Sequence, residues 1–220
     1  MQPRRPGTTG ARVRFHDAPL AGGVLHSNST LILSPEIPMP SYCDYVLAHP
    51  EDTYNSLYHD SQYGFPLEDD NALFERLMLE INQAGLSWIT ILKKADNFRR
   101  AYEDFNIAKV AAYRQEDVHR LLADAGIIRN RLKINAAIEN ARRIQILQME
   151  QGSFKAWLDA QAASDLSDWA KLFKSTFVFT GGEIVREFLV STGYLPGAHD
   201  RWCPIFAQVM SLKPAWAIIK

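Results

Sequence analysis

The chain has 220 residues, of which 47% are hydrophobic and 22% are charged. This is enough apolar material for one hydrophobic core or two small lobes, and charges interrupt the apolar runs too often for a membrane-spanning helix. The formal net charge is −1 and the pI is near 6.6, so the chain is not basic overall. Its overall charge therefore gives no argument for nucleic-acid binding. Local basic patches are therefore the only basis for predicting a nucleic-acid partner.

Residues 1–40 differ in composition from the rest of the chain. Arginine, glycine, proline and threonine are frequent between Met1 and Arg14, and three prolines lie between Pro35 and Pro40. This composition predicts a disordered N-terminal extension over residues 1–40. Residues 41–220 are expected to form the helical domain, in one or two lobes.

The rest of the chain has apolar residues at helical spacing, with suitable cap residues and no intervening strands. Asp69 or Asp70 caps the first predicted helix, which ends at Gly85. Further helices are predicted over residues 88–105, 106–113, 115–125, 129–149, 154–163, 166–174 and 183–191. The predicted fold class is all-α.

The chain contains two cysteines, and each has a histidine nearby in the sequence. His59 follows Cys43, and His199 precedes Cys203 by four positions. Two thiolates and two imidazoles would fill the four positions of a tetrahedral zinc ion, which favours a structural ion over a catalytic one. Because the two pairs lie far apart in the sequence, such a site would clip the N- and C-terminal parts together.

Two other interpretations of these residues stay open at this point. With six histidines in the chain, the proximity of the pairs can be a coincidence. Cys43 and Cys203 can also form a disulfide, although no secretory signal precedes them to indicate an oxidising compartment. We expect a cytoplasmic protein, associated with the nucleoid if the source is bacterial.

The segment from Leu121 to Arg131 predicts a helix-hairpin-helix. Gly126 allows a tight turn between two helices, and Ile127 would pack the hairpin. Backbone N–H groups at the start of the second helix, with cations beside them, suit a phosphate oxygen without reading the base sequence. An ordinary corner between two helices with solvated arginines fits the same pattern. The candidate DNA contacts in this segment are Gly126, Ile127, Arg129, Arg131 and Lys133.

Glu80 lies near the end of the first apolar helix, shortly before a turn and Trp88. Its neighbours are mostly apolar, so burial would raise its pKa, which is typical of a carboxylate in a functional site. The periodicity alone favours a simpler interpretation. Glu80 is offset from the stripe that contains Leu77 and Ile81, and it would then face water.

Several motifs together resemble the DNA-3-methyladenine glycosylase I family, a zinc-containing branch of the helix-hairpin-helix DNA glycosylases. They occur in the family's order between about Tyr42 and Pro204. The motifs are Leu79–Lys94, Tyr58-His59-Asp60, Gly64 with Pro66, Ala125–Arg129, and His199 with Cys203. The family's metal ligands match Cys43, His59, His199 and Cys203, which implies one structural zinc.

The resemblance implies excision of 3-methyladenine from alkylated duplex DNA, after the nucleotide has flipped out of the duplex. Glu80 matches the family's pocket glutamate, which would contact the base edge and favour a cationic lesion. Tyr58 and Trp88 would form the aromatic walls of the pocket. Gly85 and Leu86 would lie at the turn beside it, with Leu86 filling the gap left by the flipped nucleotide.

Many helix-hairpin-helix glycosylases carry a catalytic aspartate after the hairpin, but no aspartate occurs here between Ala125 and Asp159. The family that the chain resembles also lacks it. Lys133 is therefore interpreted as a phosphate contact and not as a Schiff-base nucleophile, and strand cleavage is not expected. The segment from Thr180 to Arg186 departs from the family's pattern. Its Glu183 and Arg186 are either a surface ion pair or residues that change which base fits.

Two alternative functions belong to other classes. The first is a non-catalytic DNA-binding or damage-sensing module that keeps the hairpin and the metal. The second is a zinc hydrolase, which would need an open metal position that four protein ligands do not leave. Duplex DNA containing alkylated bases is the expected partner, and neither a membrane nor an obligate protein partner is expected.

Overall fold

The computed structural model describes residues 40–161 and 165–218. Apart from Pro40, the predicted N-terminal extension lies outside the described residues. Every regular element in the described ranges is an α-helix, which confirms the predicted fold class, and none of these helices has the length and apolar character to cross a membrane. The helices are α1 (Tyr42–Ala48), α2 (Thr53–Ser61), α3 (Asp70–Gln83), α4 (Trp88–Leu92), α5 (Ala95–Ala101), α6 (Ile107–Ala111), α7 (Gln115–Ala123), α8 (Arg131–Gln151), α9 (Phe154–Ala160), α10 (Leu166–Thr176), α11 (Gly182–Ser191), α12 (Pro204–Ser211) and α13 (Ala215–Ile218).

Helix α3 begins where the sequence predicts. The Asp69 carboxylate accepts a hydrogen bond from the backbone N–H of Ala72 at 2.9 Å and caps the helix. From Leu73 onward the helix is buried on nearly every side instead of along one stripe, because α4, α8, α9 and α11 all pack against it. Polar side chains in its second half are therefore in the protein interior.

The single helix predicted over residues 88–105 is wrong, because the structure divides this segment into α4 and α5. The backbone tightens at the break, where the N–H of Lys94 donates to the carbonyl of Ile91, three residues earlier. The Lys94 ammonium then donates to the carbonyl oxygens of Ala125 and Gly126 at 3.0 and 3.1 Å. This tertiary contact outweighs the local helical periodicity.

Helices α1 and α2 were not predicted, because they are short and depend on local caps. Ser41 and Asp44 form a capping box at the start of α1, and Asp52 caps α2. Helix α2 packs against both α1 and α4. This packing buries Tyr58 and His59, which are adjacent in the sequence.

The turn after α2 is fixed to the end of α11. The Gly64 N–H donates to the carbonyl of Ser191 at 2.9 Å. Gly64 has a φ of +82°, and a Cβ at this position would lie 2.5 Å from the Cβ of Ala198. Only glycine fits this crossing, which brings α2 beside the loop that carries His199.

A comparison of two glycines tests this close approach. Gly85 has a similar φ of +83°, but an added Cβ there meets no described atom within 4 Å. We expect Gly85→Ala to lower the free energy of unfolding by about 1 kcal/mol, the usual cost of a left-handed alanine. Gly64→Ala should cost about 3 kcal/mol, because a steric clash is added. Equal losses in denaturant unfolding would contradict the close approach.

Candidate active site and metal cluster

A cluster of four side chains joins segments that lie far apart in the sequence. Cys43 is on α1, His59 is on α2, His199 is in the loop after α11, and Cys203 is the N-cap of α12. All four are buried, and their ligand atoms lie within 4.8 Å of one another. The structure therefore brings together the four predicted ligands, and they could hold a metal ion.

Hydrogen bonds orient the two imidazole rings of this cluster. The Nδ1 of His59 donates to the Asp60 carboxylate at 2.7 Å, which leaves Nε2 to face the other ligands. The Nε2 of His199 donates to the Tyr63 carbonyl at 2.7 Å, which leaves Nδ1 to face them. Such partners are typical of histidines that bind metals, because they fix the tautomer and the ring orientation.

Burial disfavours the charged forms of the cluster's side chains. It raises the pKa of the Cys43 thiol to about 12 and lowers the pKa of His199. A metal ion binds thiolates and neutral imidazoles, so it would stabilise the thiolate form that burial disfavours. Cys43 and Cys203 are both free thiols, which does not support the disulfide alternative.

Glu80 lies in the interior and not on the polar edge of its helix. Only 5% of the residue is exposed. The pKa of its carboxyl is raised to about 8, first by burial and then by the negative charge of Glu187, while the Arg76 guanidinium and the Ser191 hydroxyl oppose this rise. The simpler interpretation, a solvated glutamate, is therefore wrong.

Arg76 is a buried cation that the sequence analysis missed. It lies one turn before Glu80 on α3, and its Nη1 donates to the Tyr58 hydroxyl at 2.9 Å and to the Ser191 carbonyl at 3.4 Å. Its guanidinium carbon also lies 4.9 Å from the centre of the Tyr58 ring. An arginine four residues before a glutamate, with mostly apolar residues between and after them, was the available signal in the sequence.

Three aromatic rings lie next to one another in this region. The centres of the Tyr58 and Trp88 rings are 5.0 Å apart, and the planes are inclined at 60°. The centre of the Tyr63 ring lies 5.6 Å from that of Tyr58, and Tyr63 is less buried than the other two residues. The structure thus brings the two predicted wall residues together and adds Tyr63 to them.

Glu187 is the second residue that the sequence analysis missed. The Tyr63 hydroxyl donates to its carboxylate at 3.4 Å, and Arg186 forms a salt bridge with it. Burial raises the pKa of Glu187, although Arg186 opposes this effect. Glu183, which the sequence analysis singled out, has a side chain that is 84% exposed. Glu187 directly follows the segment from Thr180 to Arg186 that departs from the family's pattern, and this position was the available signal in the sequence.

The predicted hairpin joins α7 to α8. The Gly126 N–H donates to the Asp124 carboxylate at 2.7 Å, and Asn130 caps α8. Arg129 and Arg131 are exposed, so they are accessible to a phosphate. The side chain of Ile127 is buried in the hydrophobic core, so only its backbone could contact DNA.

Lys133, which the sequence analysis interprets as a phosphate contact, is buried in the structure. The residue is only 5% exposed, and its ammonium donates to the carbonyl oxygens of Asn82 and Ala84, each at 2.8 Å. It therefore satisfies carbonyls at the end of α3 and is not accessible to a phosphate. The same contacts hold the start of α8 against the turn that contains exposed Gly85 and half-buried Leu86.

The model of the methyladenine glycosylase family matches residues 48–205, which is well over half of the chain. The chain belongs to the methyladenine glycosylase family. It is 42% identical over 166 residues to the DNA-3-methyladenine glycosylase of Haemophilus influenzae, which covers 67% of this chain and 89% of that protein. It is 56% identical over 94 residues to DNA-3-methyladenine glycosylase 1 of Escherichia coli, but this match spans only 49% of that protein and 43% of this chain.

Solved structures of methyladenine glycosylases have the same fold. A 3-methyladenine DNA glycosylase I with a tyrosine-to-phenylalanine substitution, in complex with 3-methyladenine, has a TM-score of 0.66 at 32% identity, over 70% of this chain and 93% of that chain. A Staphylococcus aureus enzyme with a glutamate-to-glutamine substitution has the same TM-score and identity, over 70% and 92%.

Substitution of Lys133 and of Arg131 by methionine distinguishes a lysine that stabilises the fold from an arginine that contacts a phosphate. Lys133→Met leaves two buried carbonyls without a donor, so we expect the free energy of unfolding to fall by about 2 to 4 kcal/mol. Arg131→Met should change it by less than about 0.5 kcal/mol but lower the slope of DNA affinity against salt by about one. Denaturant unfolding and DNA titrations at several salt concentrations measure both effects. If Lys133→Met is as stable as the wild type and lowers the slope of DNA affinity against salt, Lys133 is a phosphate contact after all.

Proposed function

We propose that this methyladenine glycosylase excises 3-methyladenine from alkylated duplex DNA by hydrolysing the N-glycosidic bond. One observation carries the proposal: a buried glutamate, Glu80, lies in the same region as the paired rings of Tyr58 and Trp88. The related structure in complex with 3-methyladenine supports the choice of base. The roles of the side chains follow from the charge of that lesion.

The reaction needs little acid catalysis. A purine methylated at N3 within DNA carries a positive charge, so it is already a good leaving group. The bond between N9 and C1′ breaks, its electron pair moves to the purine, and neutral 3-methyladenine leaves. Water adds a hydroxyl to C1′ and releases a proton to solvent. The site must therefore stabilise positive charge more than donate a proton.

Glu80 supplies this stabilisation in its ionised form. The carboxylate contacts the base edge and attracts both the cationic purine and the oxocarbenium-like sugar that forms as the bond breaks. Because the site is buried, this attraction is stronger than in water. Normal adenine is neutral and gains no comparable stabilisation. Glu80 thus selects the lesion by charge.

Tyr58 and Trp88 form the walls that hold the base. Stacking and cation–π attraction contribute on the order of 1 kcal/mol each for a charged base. Both rings are buried in the free protein, so the base enters only when they move apart. The Trp88 indole N–H is buried and has no acceptor among the described residues, so it can donate to a ligand.

The duplex lies against the hairpin and against the neighbouring turn at Gly85 and Leu86, which Lys133 connects to the hairpin. Exposed Arg129 and Arg131, with the backbone at Gly126, contact phosphates and position the DNA without reading its sequence. Gly85 allows the turn to approach the duplex, and Leu86 fills the space left by the flipped nucleotide. Alkylated duplex DNA is the partner in this proposal.

The protein releases the base without cleaving the strand. A lyase would need an amine that attacks C1′ as a Schiff-base nucleophile. Lys133 is the nearest candidate in the hairpin, but its ammonium is buried against two carbonyl oxygens. Although burial lowers the pKa of Lys133, these two hydrogen bonds hold its amine inside the protein, where it cannot reach C1′ of a bound nucleotide.

Zinc is the metal that best fits the four-residue cluster. Ordinary zinc bond lengths give tetrahedral edges of about 3.3 Å between nitrogens and about 3.6 Å between nitrogen and sulfur. The two histidine nitrogens are 3.2 Å apart, and the nitrogen–sulfur separations run from 3.3 to 3.9 Å. Cys43, His59, His199 and Cys203 would hold one ion, whose chemistry there is to bind thiolates and stabilise the fold.

Neither alternative function explains the pocket as well. A non-catalytic DNA-binding module needs the hairpin but gains nothing from a buried carboxylate, whose desolvation costs stability. A zinc hydrolase needs a metal position open to water, whereas protein side chains supply all four ligands here.

Glu80→Gln tests the proposed chemistry. The kcat/KM for 3-methyladenine release should fall about 10- to 100-fold, because the amide lacks the negative charge. Since the raised pKa leaves Glu80 largely protonated below about pH 8, the wild-type kcat/KM should rise with pH and level off above that value. The variant should show no such rise.

Chromatography of the bases released from methylated DNA provides the measurement. Glu68→Gln is a matched control, because the Glu68 side chain is 80% exposed and lies outside the pocket. Absence of free 3-methyladenine at every wild-type concentration would overturn the glycosylase proposal and leave the binding module.

Cys203→Ser tests the structural ion. We expect elemental analysis to find one zinc per wild-type chain, and the substitution to lower the melting temperature by about 5 to 10 °C. The kcat of the fraction that stays folded should change much less. Chelator should destabilise the wild type but have little further effect on the variant. Unchanged stability with lost activity would contradict a structural role.

A further inference from the structure

A second, partly buried carboxylate lies beside the proposed base pocket, where its charge acts on Glu80. Glu187 is on α11, and Tyr63, whose hydroxyl donates to it at 3.4 Å, stands beside Tyr58. The Glu187 side chain is 31% exposed, whereas Glu80 is almost fully buried. The two carboxylates therefore occupy outer and inner positions of the same site.

The packing of α3 against α11 holds these two groups near each other. Arg76 on α3 donates to the carbonyl of Ser191 on α11, and the Gly64 N–H donates to the same oxygen. Glu80 lies one turn after Arg76, and Glu187 lies one turn before Ser191. The residues at this contact are buried, which fixes the two carboxylates on rigid helices.

We propose that Glu187 is a specificity-determining residue, which adds a second negative charge at the rim of the base pocket and restricts the enzyme to cationic alkylated purines. This inference rests on the proposed function and adds a residue to it. A cationic base is attracted by both carboxylates, whereas a neutral base of the same shape is attracted by neither. Charge selection then begins at the rim, before the base reaches Glu80.

The charges around the pair agree with this arrangement. The negative charge of Glu187 is the largest influence on the pKa of Glu80 after burial. Arg186 partly offsets Glu187, but its side chain is half exposed, so solvent and salt weaken its effect. The charged and titratable groups that face the pair are Arg76 on α3, Tyr58 on α2, Tyr63 after α2, and Glu183 and Arg186 on α11.

Glu187→Gln removes the charge and keeps the shape. Above about pH 9, where Glu80 is ionised, we expect kcat/KM for 3-methyladenine release to fall about 3- to 10-fold. Affinity for duplex DNA that contains 3-deaza-3-methyladenine, a neutral base of the same shape, should not fall. The rise of kcat/KM with pH should move to lower pH by about half a unit or more, because Glu80 loses a like charge.

Two further variants complete the design. Glu68→Gln removes an equal charge at a side chain that is 80% exposed and lies outside the proposed pocket, and it should match the wild type in all three measurements. Glu187→Asp keeps the charge and should retain most of the activity and the wild-type pH profile. If Glu187→Gln folds poorly, Glu187→Asp still tests whether a carboxylate at this position is sufficient for activity.

The outcomes separate the two claims. If the wild type releases base but Glu187→Gln keeps its kcat/KM or its pH profile, this inference is overturned and the proposed function stands. Equal losses for the cationic and the neutral base would also overturn it, because they would indicate a role in shape alone. A wild type that releases no base overturns the proposed function and this inference together.

Discussion

The four-residue metal cluster is the constraint on which the pocket depends, because the same short segment contributes to both. Residues 58–64 carry Tyr58 into the pocket and His59 into the cluster. The carbonyl of Tyr63 accepts from His199, while its hydroxyl contacts Glu187. The metal cluster and the proposed base pocket therefore share one segment of backbone, and an ion held in the cluster would contribute to catalysis only by keeping this segment in place.

The pocket places ionisable groups where burial disfavours their charges. Glu80 and Arg76 are both buried on α3, yet no salt bridge within 4 Å joins them in the described part of the chain. A nearby arginine alone would lower the pKa of Glu80, but burial and Glu187 outweigh it. The protein thus keeps a site that is less stable than an apolar one, and a cationic base would relieve the unfavourable charge.

The sequence predicted the elements that local chemistry determines. The all-α class and the Asp69 cap followed from periodicity and capping, and the proximity of Cys43, His59, His199 and Cys203 followed from the chemistry of a possible shared metal ion. The break between α4 and α5 was not predictable in this way, because it depends on the contact from Lys94 to the hairpin. The burial of Lys133 depends in the same way on carbonyls about 50 residues earlier in the chain.

The sequence also does not show which charged residues are buried, because burial depends on tertiary packing. Glu80, Glu183 and Glu187 all occur at helical spacing among apolar residues, and periodicity cannot tell which of them faces the interior. The packing of α3 against α11 decides it, since Glu80 is buried, Glu187 is partly buried and Glu183 is exposed. Family resemblance identified Glu80, but it gave no reason to single out Glu187.

A direct titration of the Glu80 carboxyl tests whether its ionised form recognises the positive charge of the base. Carbon-13 labelled glutamate carboxyls can be followed by NMR, with Glu80→Gln to assign the signal. We expect a pKa of about 8 for this carboxyl in the free protein. The pKa should fall by about one unit or more when the permanently cationic base 3,9-dimethyladeninium is bound. An unchanged pKa at saturation would show that Glu80 does not recognise the charge of the base.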